Sequence, residues 1–356
     1  MSTLREEQVL EALGTVQDPD LKRDLVSLGM IEELAVQGGS VSFTLVLTTA
    51  ACPLKGKIED DCRAAVSALA GVREVQIKTT ARMRKAQPPD AARQAIPGVA
   101  QVIAIGSGKG GVGKSTVAVN LAVALAAAGA RVGLLDGDIY GPNLPRMLGS
   151  RQQPMQRGGK IVPVEACGIH FLSMGLLVSE GEAVVWRGPM LHGAIKSFLH
   201  DVDWGELDYL LVDLPPGTGD VQLSLIQQTH VAGAVVVTTP SAVAIEDGVK
   251  AVGMFEKLQV PVLGVIENMS YFVCNDCGKR HDIFSSGTAE SRFLAMGLPF
   301  LGAIPLHPEI RAGGDEGRPV VLASPESPYA RTLKTIAGAL AQRVSIQAMR
   351  EPAAHV

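Results

Sequence analysis

Two lysines, Lys109 and Lys114, stand in the glycine-rich stretch GSGKGGVGKST, residues 106–116. Gly108, Lys109, Gly110, Gly111, Val112, Gly113, Lys114 and Ser115 fit the pattern G-x-x-x-x-G-K-[ST], and Thr116 follows. Glycines in such a loop let backbone N–H groups converge on phosphate oxygens. Lys114 is then expected to reach the β and γ phosphates and the Ser115 hydroxyl to ligate Mg²⁺. The flanks suit that chemistry. VIAIG before the loop reads as a buried strand, and STVAVNLAVALAAAG after it reads as a helix ended by Gly129. The helix N-terminus adds its dipole to an anion site. One lysine suffices to grip a phosphate, so the second asks for a reason.

Other chemistry-bearing residues lie further along. LLDGDIYGPN puts Asp136 and Asp138 at the end of one strand, and YLLVDLPPGTGD puts Asp213 at the end of another. Carboxylates at strand C-termini beside a phosphate loop hold Mg²⁺ through water or orient an attacking water. For any one of them, turn or helix capping is the competing duty. Gly217, in the same segment as Asp213, is placed to offer its N–H to a terminal phosphate. ENMSYFVCNDCGKRHDIF carries Cys274 and Cys277 as C-x-x-C. That pair fits a redox dithiol, half of a zinc site with His281 nearby, or ligands of an iron–sulfur cluster, which usually takes four thiolates. One chain supplies two; a two-fold dimer would supply four. Cys52 sits at the start of an expected helix over 54–69, where the helix dipole should lower its thiol pKa and suit it to reaction or metal binding; the competing duty is that of a partly buried small hydrophobe. Cys62 and Cys167 read as packing residues. Five cysteines, an odd and low count, do not make a disulfide framework.

The elements that must position these residues read as two folded regions. Of 356 residues, 47% are hydrophobic and 19% charged, as in a globular protein. Residues 1–81 read as a small α/β domain, with a helix over 4–14, a hairpin turning at Gly38-Gly39, the helix over 54–69 and the strand VREVQIK. Residues 82–98, basic and proline-bearing, read as a linker. From Val99 the short apolar runs VIAIG, RVGLLD, YLLVD, AVVVTT and VLGVIEN alternate with helical stretches, the signature of a parallel sheet buried on both faces. The expected fold is therefore α/β: a mostly parallel sheet flanked by helices over 99–345, preceded by the small αββαβ domain, with 346–356 a flexible tail. The net charge of −4 gives no broad basic surface for nucleic acid. No apolar run reaches the ~18 residues of a spanning helix, and the N-terminus is unlike a targeting peptide, so a cytoplasmic protein is expected. The amphipathic YARTLKTIAGALAQRV, with Leu333, Ile336, Leu340 and Val344 on one side, is expected to dock on its own domain rather than on a membrane.

KGGVGKST resembles the deviant Walker A motif of the MinD/ParA/nitrogenase-iron-protein class of P-loop ATPases. In that class two subunits sandwich two ATPs, and the resemblance implies that Lys109 reaches across to the partner's nucleotide. The whole of 99–345 resembles the Mrp/ApbC family of iron–sulfur cluster carrier ATPases. It does so on GSGKGGVGKST, LLDGDIYGPNLPRMLG, the WRGPM of 186–190, LLVDLPPGTGD, TTPSAVAIEDGVKAVGMF and GVIENMSYFVC-x-x-C. That family's pair is often C-P-x-C; here it is C-N-D-C. The resemblance implies that Asn268 contacts the adenine. Trp186 and Met190 would be core or dimer-surface residues, and Arg187 suits an intersubunit contact. Residues 1–80 resemble the small domain of iron–sulfur assembly and phenylacetate-degradation proteins, on DPDLKRDLVSLGMI and LTTAACPLKGKIEDDC, with Cys52 at that domain's cysteine. Asp18 and Asp20 either line a site there or serve Asx turns.

The implied activity is Mg²⁺-dependent ATP hydrolysis serving cluster transfer. The implied cofactors are ATP, Mg²⁺ and a [4Fe–4S] cluster bridging a homodimer, and the implied partners are apo iron–sulfur proteins and cluster scaffold proteins, with neither nucleic acid nor membrane. Two alternatives share the loop: a MinD/ParA-like positioning ATPase and a zinc-bridged ATPase dimer. A reductase like the nitrogenase iron protein would carry its cluster cysteines far apart in sequence, unlike this close pair.

Overall fold

The structure is a computed structural model that describes residues 4–85, 93–138, 141–177, 188–217, 219–274, 276–284 and 287–350. The chain divides into two compact units, Met1–Arg84 with Ser345–Glu351, and Lys85–Val344 with Pro352–Val356.

The smaller unit contains α1 (Glu6–Leu13), β1 (Ile31–Gln37), β2 (Ser40–Leu47), α2 (Lys55–Ser67) and β3 (Glu74–Ala81). β1 and β2 pair antiparallel through a turn at Gly38 (φ 55°) and Gly39 (φ 90°), two positive-φ positions that glycine fills without strain. β3 returns parallel to β2, and α2 is the crossover between them. Apart from a two-residue strand pair, Gln17–Asp18 with Arg23–Asp24, between α1 and β1, the αββαβ order expected from the sequence is the order found. Val9, Leu13, Leu25, Phe43, Ile58 and Cys62 meet in its core.

The larger unit begins earlier than the sequence suggests. The Gln94 N–H donates to the Gln228 carbonyl, and Ile96 is buried in the main core, so the end of the stretch expected as linker is anchored at these two residues. Apart from a small antiparallel hairpin of Met155–Arg157 with Lys160–Val162, the unit's strands are β4 (Val99–Gly106), β5 (Val132–Asp136), β6 (Val164–Ala166), β7 (Ile169–Leu172), β8 (Leu207–Asp213), β9 (Gly233–Thr238) and β10 (Val262–Glu267). A separate hairpin, β11 (Phe272–Val273) and β12 (Arg280–His281), precedes the last strand of the main sheet, β13 (Phe300–Ala303). The main sheet runs β6-β7-β5-β8-β4-β9-β10-β13. Only β6 pairs antiparallel. The five apolar runs read from the sequence are its five contiguous central strands. Because these are parallel, the loops that follow β4, β5, β8 and β10 emerge at one edge, where α/β sheets bind ligands.

The helices are α3 (Lys114–Ala127), α4 (Leu144–Met147), α5 (Gly188–His200), α6 (Asp220–Gln228), α7 (Ala242–Lys257), α8 (Thr288–Ala295), α9 (Pro308–Glu316), α10 (Val320–Ala323) and α11 (Pro328–Arg350). α3 is apolar all round because it is covered all round: every residue from Val117 to Leu125 is buried, between the sheet and α4, α9 and α10. On α11, Leu333, Ile336, Leu340 and Val344 are all buried, so that apolar stripe is a packing face. The same helix continues to Arg350, which corrects the expected tail at 346–350. SIQAMR contains no breaker, and Pro352 is the first residue to disfavour helix before it. Trp186 and Arg187 lie outside the described residues, as does the side chain of Met190. No helix among the described residues is long and apolar enough to cross a membrane.

Candidate nucleotide cleft and cysteine hairpin

The glycine-rich loop joins β4 to α3, and three of its glycines are demanded by backbone angle or by what lies against them. Gly111 (φ 82°) and Gly113 (φ 79°) hold left-handed backbone. A Cβ on Gly108 would stand 2.0 Å from the Asp247 carbonyl oxygen in α7, and one on Gly113 would stand 2.3 Å from Nδ2 of Asn268. The loop walls a cleft of about 460 Å³, closed on the far side by Arg146 of α4 and by His307 and Arg311 at the start of α9.

At the loop's end Lys114 is buried, and its Nζ donates to Oδ1 of Asp213 at 2.5 Å. A parallel register that sets Asp213 opposite Ile105 and Asp136 brings these residues together. Burial pushes the Asp213 carboxyl above the usual range, and the Lys114 ammonium pulls it back. Its other oxygen, Oδ2, is buried and has no hydrogen-bond partner among the described residues. A buried acceptor left unpaired beside a phosphate loop is suited to a cation or its bound water. Lys109 is the opposite case: exposed at the loop's tip, with no hydrogen-bond or ion-pair partner for its ammonium among the described residues.

The other two acids divide their labour. Asp136 is buried; its Oδ1 accepts from the Asp138 N–H (3.2 Å), and its Oδ2 accepts from the Ser173 hydroxyl (2.8 Å) and the Leu144 N–H (3.4 Å). Burial, reinforced by the neighbouring Asp213 charge, pushes its carboxyl up to about 7. Asp136 is not among the residues that line the cleft, whereas Asp138 is. The Gly217 N–H, expected to be offered to a phosphate, instead donates to the Ser107 carbonyl at 2.9 Å. The loop that bears Gly217 is clamped by Gln222, whose Nε2 donates to the carbonyls of Pro215 and Gly217. Asn268 lines the cleft but commits one amide hydrogen to the Val112 carbonyl at 2.9 Å, tying β10 to the phosphate loop.

The cysteine pair sits on the β11–β12 hairpin. The Cys274 N–H donates to the Lys279 carbonyl, and the Gly278 N–H donates to the Cys274 carbonyl. The N–H groups of Cys277 and then Asp276 point at the Cys274 sulfur and hold its thiol below the usual range. Cys277 is exposed and Cys274 half-buried. Val273, Ile283 and Phe284, on or beside the hairpin, are exposed apolar residues. Among the described residues no three His, Cys, Asp or Glu side chains gather closely enough to hold a metal, so His281 does not complete a site within one chain.

Residues 98–341 match the family model described as a NUBPL iron-transfer P-loop NTPase. The chain belongs to that family. Residues 6–78 match the family described as an iron–sulfur cluster assembly protein. The chain is 54% identical to the iron–sulfur cluster carrier protein of Deinococcus radiodurans, over 96% of this chain and 97% of that one. It is 40% identical to that of Escherichia coli K12, over 94% and 91%. Among solved structures it resembles the ADP-bound nucleotide-binding protein of Archaeoglobus fulgidus, with TM-score 0.57 and 37% identity over 66% of this chain and 92% of that one. It also resembles the cell division ATPase MinD of Pyrococcus furiosus, with TM-score 0.52 and 28% identity over 67% and 97%. Fold, family and the P-loop NTPase class of the larger unit are thus those the sequence led us to expect.

The smaller unit corrects one expectation. Cys52 does lie where the Leu54 N–H can donate to it, but burial outweighs that bond, and Asp20 and Asp18 add repulsion, so its thiol is raised rather than lowered. Asp18 spends Oδ1 on the N–H groups of Asp20 and Leu21, the Asx-turn duty. Cys62 is fully buried and pushed up to about 12 by burial, as a packing residue should be. Sequence reasoning missed Ser173, Gln222 and the α4 and α9 walls of the cleft. A serine directly after a four-residue strand, and a glutamine inside a helix, carry no local pattern that marks them.

Proposed function

We propose that this protein is an ATP-hydrolysing iron–sulfur cluster carrier that works as a homodimer. Its cargo is held by Cys274 and Cys277 of both copies and handed to apo-proteins. The observation that carries the reading is a double incompleteness. One chain presents a pair of thiols, Cys277 exposed and Cys274 half-buried, where a cluster wants four, and one loop presents a second lysine whose ammonium has no partner among the described residues. A single two-fold axis answers both. The exposed Val273, Ile283 and Phe284 support it, because apolar surface beside the thiols favours a face that a second copy covers.

In this reading the backbone of residues 108–116 cradles the ATP phosphates, with Ser115 and Thr116 at the helix N-terminus. Lys114 exchanges Asp213 for the β and γ phosphates, and Lys109 neutralises charge on the partner's nucleotide as an arginine finger does. Asp138, which reaches the cleft, orients the attacking water, and Asp136 does not touch it. Mg²⁺, when bound, neutralises phosphate charge, and Ser115 together with the unpaired Asp213 oxygen are the groups that would hold it. Asn268 fixes the loop and faces the adenine. Coupling to the cargo requires ATP and ADP to favour different dimer geometries.

The test is anaerobic reconstitution with iron and sulfide, followed by visible absorption, metal and sulfide analysis, and sizing with and without Mg·ATP. We expect a coloured dimer with iron and sulfide in cluster proportion. A colourless monomer, or a dimer that takes up zinc alone, would overturn the reading.

A further inference from the structure

The segment that brings Asp138 to the cleft hangs from a buried point. Ser173 follows β7, and the parallel pairing of Leu172 with Leu135 sets it beside Asp136. It is 0% exposed, and its hydroxyl donates to Asp136 Oδ2 at 2.8 Å while accepting from the Gly175 N–H at 3.1 Å. Asp136 in turn receives the N–H groups of Asp138 and Leu144, one at each end of the loop after β5. The same loop is braced a second time. The turn Met174–Leu176, which starts at Ser173, lies against it so closely that a Cβ on Gly175 would stand 3.3 Å from Pro142 and 3.4 Å from Pro145. A carboxylate without Ser173 would keep its two N–H donors but lose the side-chain bond that helps set its rotamer.

We infer that Ser173 is a positioning residue for nucleotide hydrolysis, acting through Asp136 to set where Asp138 stands over the phosphate loop. The inference rests on the reading of Asp138 as the residue that orients water. Ser173 and Asp136 touch no nucleotide in it, so affinity and turnover should separate. Losing the hydroxyl lets Asp138 drift without altering the cradle, and a small misplacement at the reacting centre is felt in rate.

The test compares Ser173→Ala, Ser173→Thr, Asp138→Asn and the double variant Ser173→Ala/Asp138→Asn in the full chain. The readouts are kcat and KM for Mg·ATP and the dissociation constant of ADP by equilibrium titration. We expect Ser173→Ala to lower kcat about 10- to 100-fold with KM and the ADP constant within about twofold, Ser173→Thr to restore part of the loss, and the double variant to be no slower than Asp138→Asn. If Ser173→Ala weakens ADP binding in step with kcat, or adds its full loss to that of Asp138→Asn, Ser173 is merely structural and the inference fails. If Ser173→Ala turns over normally while Asp138→Asn is dead, the inference fails and the reading of Asp138 stands. If Asp138→Asn itself hydrolyses normally, the reading fails and the inference with it.

Discussion

Lys114 and Lys109 share one loop and live in opposite surroundings, and their substitutions should differ accordingly. Lys114→Ala removes the only cation paired with Asp213 among the described residues, and breaking a buried pair by deleting one partner costs about 3–5 kcal/mol. The variant should melt earlier and lose nucleotide binding, as read by thermal unfolding and titration with a fluorescent nucleotide. Lys109→Ala touches an exposed side chain and should leave both measurements unchanged. Phosphate release should nonetheless collapse; unchanged turnover would refute the cross-subunit role. The thiols give a second residue-scale prediction. Cys274 is held below the usual range and half-open, whereas Cys52 is raised by burial and Cys62 is closed off at about 12. In the reduced, metal-free protein at neutral pH, iodoacetamide should modify Cys274 before Cys52 and leave Cys62 intact. Equal rates at Cys274 and Cys52 would contradict the assignment. The loop, the acids and the cysteine pair were readable because each is a local pattern. The partner of Lys114 was not, since it comes from a strand ninety-nine residues away.

At the scale of elements, the glycines of the loop sort by what they face. Gly108 meets the backbone of α7, which cannot yield, while Gly110 has only Pro216 Cγ at 3.8 Å and ordinary backbone angles. Gly108→Ala should therefore destabilise by about 1–3 kcal/mol and Gly110→Ala should melt close to the unsubstituted protein, in denaturant titrations without nucleotide. Matching midpoints for the two would sink this account of the loop. The central strands were legible because burial on both faces makes them continuous apolar runs. β6, β7 and β13 were not. They are three or four residues long and lie toward the sheet's margins, where length and composition fall below any signal. The burial of Ile96 was not legible for a related reason: it is one large apolar residue in a proline-bearing, polar stretch, and only the core it enters makes it structural.

At the scale of the molecule, the proposed dimer makes its own demand. Cys274→Ala should abolish the reconstituted cluster while ADP still binds. Cys52→Ala should leave it intact, and Phe284→Asp should weaken dimerisation without changing ADP affinity in the separated chain. A full cluster in Cys274→Ala would refute its ligand role. The pairing of Lys114 with Asp213 carries one last consequence. Lys114 is spent on an internal carboxylate, so a lone sulfate or free phosphate draws on that ammonium only by displacing Asp213. A molecule with several linked phosphates, reaching the loop backbone as well, offers more in exchange. Selectivity against small anions is thereby written into one internal ion pair.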